Sequence, residues 1–142
     1  MIPAATEFEA LPTLDSDTRR RRPTGVVVMK FGEASVADVD GIRAVAERLA
    51  AARAAGHKVV GVLAAMGSTT SELLDLAREV SPAPDQRELD MLVSVGERAS
   101  CALTAMALVD LGYEAVSLTG SQAGIVTDTA HGRARIVEVR AH

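Results

Sequence analysis

The sequence predicts an α/β fold: a three-layer, open and mostly parallel sheet with helices on both faces. Three observations predict it. Short β-branched apolar runs alternate with longer stretches whose apolar residues recur at helical spacing. Glycine and proline punctuate the changeovers. The chain has 142 residues, 48% hydrophobic and 24% charged, which suits one core and one domain. Alternating strands and helices in such a chain imply parallel strands joined by helical crossovers.

The elements follow in order. Val26, Val27, Val28 and Met29, closed by Lys30, read as a strand buried on both faces. A loop over 31–34 leads to Ser35, the expected N-cap of a helix, with Asp38 three residues on as a short capping box. Val36, Val39, Ile42, Val45, Ala46 and Leu49 form its apolar stripe, and Gly56 stops it. Residues 59–63 read as a second buried strand and 64–69 as a small-residue loop. A helix carrying Leu73, Leu74, Leu76, Ala77 and Val80 comes next. Pro82 and Pro84 break the pattern, because neither can continue a helix. From Arg87 to about Leu111 a long apolar helix rich in small residues is expected to be buried, ending at Gly112. Residues 114–118 read as a third strand and 119–124 as a polar turn. Residues 125–127 and 135–139 read as two short strands flanking the His131-Gly132 turn.

Residues 1–24 show no periodicity and end in Arg19, Arg20, Arg21, Arg22 and Pro23, so they read as a tail, with a single domain over 25–142. A net charge of -4 and 2% aromatic residues argue against nucleic acid as a partner. No uninterrupted apolar run reaches the roughly 18 residues a membrane span requires. The single Cys101 forms no internal disulfide, and the start lacks a signal-peptide pattern, so a cytoplasmic location is expected. Cys101 has no basic cluster nearby and reads as a buried, inert thiol rather than a nucleophile. The three histidines and one cysteine show no metal-ligand spacing, and no cofactor is expected.

Three segments, taken in order, resemble the amino-terminal, substrate-binding half of an aspartokinase, a member of the amino-acid kinase superfamily. They are Lys30-Phe31-Gly32-Glu33-Ala34-Ser35, Ala64-Ala65-Met66-Gly67-Ser68-Thr69-Thr70, and Arg87-Glu88-Leu89-Asp90-Met91-Leu92 running on to Gly96-Glu97-Arg98-Ala99-Ser100. Leu118-Thr119-Gly120-Ser121-Gln122-Ala123-Gly124-Ile125 and the His131-Gly132 turn continue the likeness, which spans roughly residues 25–139. The resemblance implies that the first loop meets transferred phosphate, where glycine admits backbone amides and the lysine neutralises charge. Two positions of that loop depart, to Glu33 and Ala34, and a carboxylate there repels phosphate. Ala64 replaces the serine that the family uses on its substrate, whereas Thr70 and Glu97 keep the family's other substrate-contacting types. The family's clamping arginine, second glycine-rich loop, catalytic aspartate, second lysine and nucleotide pocket belong to a half expected to follow residue 142. The chain alone is therefore not expected to be a kinase.

Lys30, Glu33 and Glu97 are the expected catalytic residues, lining one pocket at the carboxyl ends of the central strands. Gly32, Ser35, Met66, Thr70 and Arg98 are the expected substrate-binding positions around them. Structural alternatives stay open: Lys30 as a strand-end lysine with its charge in water, Glu97 in an ion pair with Arg98 or Lys30, and His131 as an exposed turn residue. Two functions follow. One is ATP-independent acid/base chemistry on a small molecule (cyclisation, isomerisation, elimination or hydration), for which Glu33, Ala34 and Ala64 speak. The other is a degenerate binding or regulatory subunit, or part of an aspartate kinase. Expected partners are a small-molecule substrate and further copies of the chain, as a homodimer or higher homo-oligomer, because a sheet without its second lobe leaves apolar surface uncovered.

Overall fold

The computed structural model describes residues 25–140; the expected tail over 1–24 lies outside the described residues. Strand β1 (Val26–Phe31) runs into a single 3-10 turn (Glu33–Ser35) and then helix α1 (Val39–Ala54). Strand β2 (Lys58–Leu63) and helices α2 (Thr69–Val80) and α3 (Gln86–Asp110) follow, and β3 (Ile125–Thr127) and β4 (Ile136–Val139) close the order. The expected α/β class, with a parallel sheet and packed helices, is the architecture observed. β1 and β2 pair in parallel, with Val28 opposite Val60 and Lys30 opposite Val62. β3 and β4 form a separate antiparallel ribbon.

The core sits between the sheet and α1. Phe31, Val36, Ile42, Val45 and Leu49 are its buried residues, with Met29, Val59, Leu63 and Met66 packed against them. Period-2 alternation places residues 27, 29 and 31 on the helix side of β1 and residues 26, 28 and 30 on the other. The helices cover only the first of these faces among the described residues. Val26 and Val28 remain 64% exposed and Val60 and Val62 47%. Both strands therefore differ from the expected burial on two faces. The β-branched residues favour extended backbone whether or not a second layer lies over them.

Three further expectations are corrected. Ser35 ends the 3-10 turn rather than capping a helix, and α1 starts after Asp38, whose carboxylate accepts from the Gly41 amide at 2.8 Å. The capping function moved three residues because Val36 is fully buried beneath the turn, which leaves Asp38 as the first short acceptor at the helix end. Residues 114–118 are not a strand. They are irregular, with Val116 77% and Leu118 52% exposed, and they pair with no free edge of either two-stranded sheet. Helix α3 begins at Gln86, capped by Asp85, but only Gly96, Ser100 and Thr104 on it are buried. Leu103, Met106 and Val109 face outward. By length and composition α3 is the one described helix apolar enough to cross a membrane, because its Leu, Val, Met and Ala lift the average although polar residues interrupt the apolar run. The stops agree with expectation: Gly56 and Gly112 adopt positive φ of 94° and 84°, a conformation open to glycine at little cost.

Candidate functional site

The carboxyl ends of β1 and β2 bring the first two motif loops together. The Ala64 amide donates to the Phe31 carbonyl at 3.1 Å, extending the parallel ladder into the loops. At Gly67 (φ 46°) the backbone passes so close to Ala37 that a Cβ would stand 2.8 Å from its carbonyl oxygen. The third motif joins through Gly96, where a Cβ would lie 2.7 Å from Cβ of Ala65 and 3.4 Å from Cγ2 of Thr69. Glycine at 96 and the small residues of the second loop thus let α3 seat against that loop.

Gly32 and Ser35 belong to the first of these segments, Met66 and Thr70 to the second and Glu97 to the third, so the fold assembles all three at one end of the sheet. Met66 is partly buried against the core, and Gly32, Glu33 and Ser35 are exposed. Glu97 is half-buried, and its Oε2 is buried without a hydrogen-bond partner. Lys30 projects from the uncovered face of β1, opposite to Met29 and Phe31. Lys30, Glu33, Glu97 and Arg98 make no ion pair among the described residues. Neither of the two best-defined surface depressions is lined by Lys30, Glu33 or Glu97. Arg98 instead lines a groove of about 510 Å³ between α3 and residues 117–122.

Cys101 is half-buried, and burial, then the negative charge of Glu97, pushes its thiol above the ordinary range. That agrees with an unreactive thiol. Among the described residues no three His, Cys, Asp or Glu side chains are grouped to hold a metal ion.

One cluster escaped the sequence reading. The His131-Gly132 turn docks on the first turns of α3: the Gly132 amide donates to Asp90 Oδ2 at 2.8 Å, and His131 Nδ1 lies 3.3 Å from the same oxygen. The Gly132 amide, opposed by some desolvation and helped by Gln86 and His131, holds the Asp90 carboxyl below its usual range. Forty-two residues separate the partners, so no local pattern announces the contact.

A short parallel sheet whose carboxyl-end loops meet a long helix places the chain in the α/β class. The chain matches the amino acid kinase family over residues 25–141 and belongs to it. Within that family it is 57% identical over 114 residues to the aspartokinase of Mycolicibacterium smegmatis and 56% to that of Mycobacterium tuberculosis, each match covering 80% of this chain and 27% of the relative. Aspartokinase 2 of Bacillus subtilis is 48% identical over 115 residues, covering 81% of this chain and 28% of that protein. The solved aspartate kinase from Synechocystis superposes with a TM-score of 0.67 at 46% identity, over 72% of this chain and 17% of that one. The chain is aspartokinase-related and spans a little over a quarter of the length of these curated relatives.

Proposed function

We propose that this chain is a degenerate aspartokinase-type module that binds a small amino acid and, by itself, transfers no phosphate. The observation that carries the reading is Glu97 Oε2: a carboxylate oxygen, buried and without a hydrogen-bond partner among the described residues, on the residue after the Gly96 seat against the second loop. Such an oxygen is costly to leave unmatched, and the ammonium group of an amino acid is a matching donor. The aspartokinase relatives supply the substrate class, a short acidic amino acid. Glu33 and Ala64, where the family resemblance implies a phosphate-approaching glycine and a substrate-contacting serine, speak against phosphoryl transfer through this loop. Calorimetric titration with L-aspartate is the test. Binding is expected, with affinity lowered at least tenfold in Glu97→Gln and no aspartyl phosphate formed from magnesium ATP. Equal aspartate affinity in Glu97→Gln overturns the reading, and aspartyl phosphate formation overturns its second half.

The ATP-independent acid/base reading keeps one observation in its favour: Lys30, Glu33 and Glu97 are ionisable side chains that make no ion pair among the described residues. On that reading Lys30→Met, Glu33→Gln and Glu97→Gln each lower turnover by roughly two to four orders of magnitude without unfolding the chain. The uncovered Val26, Val28, Val60 and Val62 support a partner over the sheet, a second copy of the chain or a further lobe. A cytoplasmic location belongs to the same proposal.

A further inference from the structure

We infer that the groove between α3 and residues 117–122 is a second ligand site, for a small carboxylate with an apolar body. The inference is independent of the amino-acid site proposed above. Val95, Ala102 and Leu118 line the groove with apolar surface, and Arg98, Thr119 and Gln122 supply its polar wall. Its volume of about 510 Å³ falls in the range of small-molecule sites.

The polar wall is already ordered. The Thr119 amide donates to Gln122 Oε1 at 2.9 Å, and the Gln122 amide donates back to Thr119 Oγ1 at 3.2 Å. Gln122 Oε1 is thereby engaged, and its side-chain nitrogen makes no hydrogen bond among the described residues. Arg98 is exposed, and among the described residues its guanidinium has no acceptor. Arg43, Arg78, Arg87 and Arg140, by contrast, each pair with a carboxylate one to three residues away in sequence. The groove wall thus offers a guanidinium and a side-chain amide nitrogen without acceptors, beside the Ser117 and Thr119 hydroxyls, around an apolar floor, a combination that favours a carboxylate over an uncharged amide or a cation. The planar fork of arginine favours a carboxylate's two oxygens. The apolar floor favours a hydrocarbon body over a bare inorganic anion.

Cys101, the chain's one cysteine, also lines the groove and reports occupancy. The experiment titrates the full chain by calorimetry with 3-methylbutanoate, its uncharged amide and inorganic phosphate, and follows alkylation of Cys101 by iodoacetamide alongside. The carboxylate is expected to bind and to slow alkylation at least fivefold at saturation, whereas the amide and phosphate do neither. Arg98→Met is expected to weaken carboxylate binding at least tenfold with an unchanged melting temperature. Leu118→Glu, which sets a like charge in the groove, abolishes binding independently. The inference is overturned if the carboxylate does not bind, if phosphate or the amide binds equally well, or if both variants retain wild-type affinity. L-aspartate titrated into the same variants reads the other site separately.

Discussion

Gly96 bears on the site more directly than any charged residue, because it sets how closely α3 approaches the loop after β2. A methyl group there would meet Ala65 Cβ at 2.7 Å, with no flexible side chain to give way. Gly96→Ala is therefore expected to destabilise the fold by about 1–3 kcal/mol, the usual cost of overpacking, despite alanine's better helix propensity. Urea unfolding checks this, and a gain in stability would show that helix and loop separate freely. Cys101 offers a second measurement at this scale. Its thiol is held up first by burial and second by Glu97, so its alkylation at neutral pH is expected to be slower than that of an unstructured cysteine peptide. Glu97→Gln should raise the rate, but by less than unfolding does, because charge is the smaller cause. The Gly96 close approach was not legible from residue type alone: a glycine amid small residues on an apolar helix fits many packings.

Between elements, capping and docking decide where each begins and what it touches. Asp38, not Ser35, accepts from a free amide in the first turn of α1, that of Gly41. Asp38→Ala is expected to cost about 1 kcal/mol and Ser35→Ala close to nothing, measured as the shift in urea midpoint. Equal effects would return the cap to Ser35. The β3–β4 ribbon is held to α3 through Asp90, and its pH dependence has a definite sign. The carboxyl is lowered in the folded chain, so the docking contribution is complete above the ordinary carboxylate range and is lost as pH falls through the lowered folded value. The Gly132 amide resonance is expected to follow that acid transition in the wild type and to lose it in Asp90→Asn. A Gly132 resonance that does not follow the acid transition in the wild type would show that Asp90 is not the latch.

At the scale of the whole molecule the unequal faces of the sheet dominate. Leu49 is 5% exposed and packs beside Gly61, so Leu49→Ala is expected to cost about 2–5 kcal/mol. Val28→Thr and Val60→Thr on the other face are expected to stay within about 0.5 kcal/mol each, since both residues are already in contact with solvent and threonine keeps the strand propensity. Chemical denaturation of the three variants gives the comparison. Large losses from the two threonine variants would mean that a partner covers this face in solution, and sedimentation would then identify a second copy.

The amino-acid sequence by itself determined the α/β class, the order of the seven regular elements observed, the glycine stops at Gly56 and Gly112, and the membership signalled by its three motifs. These are local properties: β-branched runs, helical spacing, φ-permissive glycines and residues at fixed intervals are all written along the chain. Tertiary structure alone decided which sheet face is covered, that residues 114–118 lack a strand partner, that α3 turns many apolar residues outward, and that Arg98 departs from Glu97 to line another groove. Each of these depends on a neighbour distant in sequence, and burial is a property of two surfaces, of which a single segment specifies only its own.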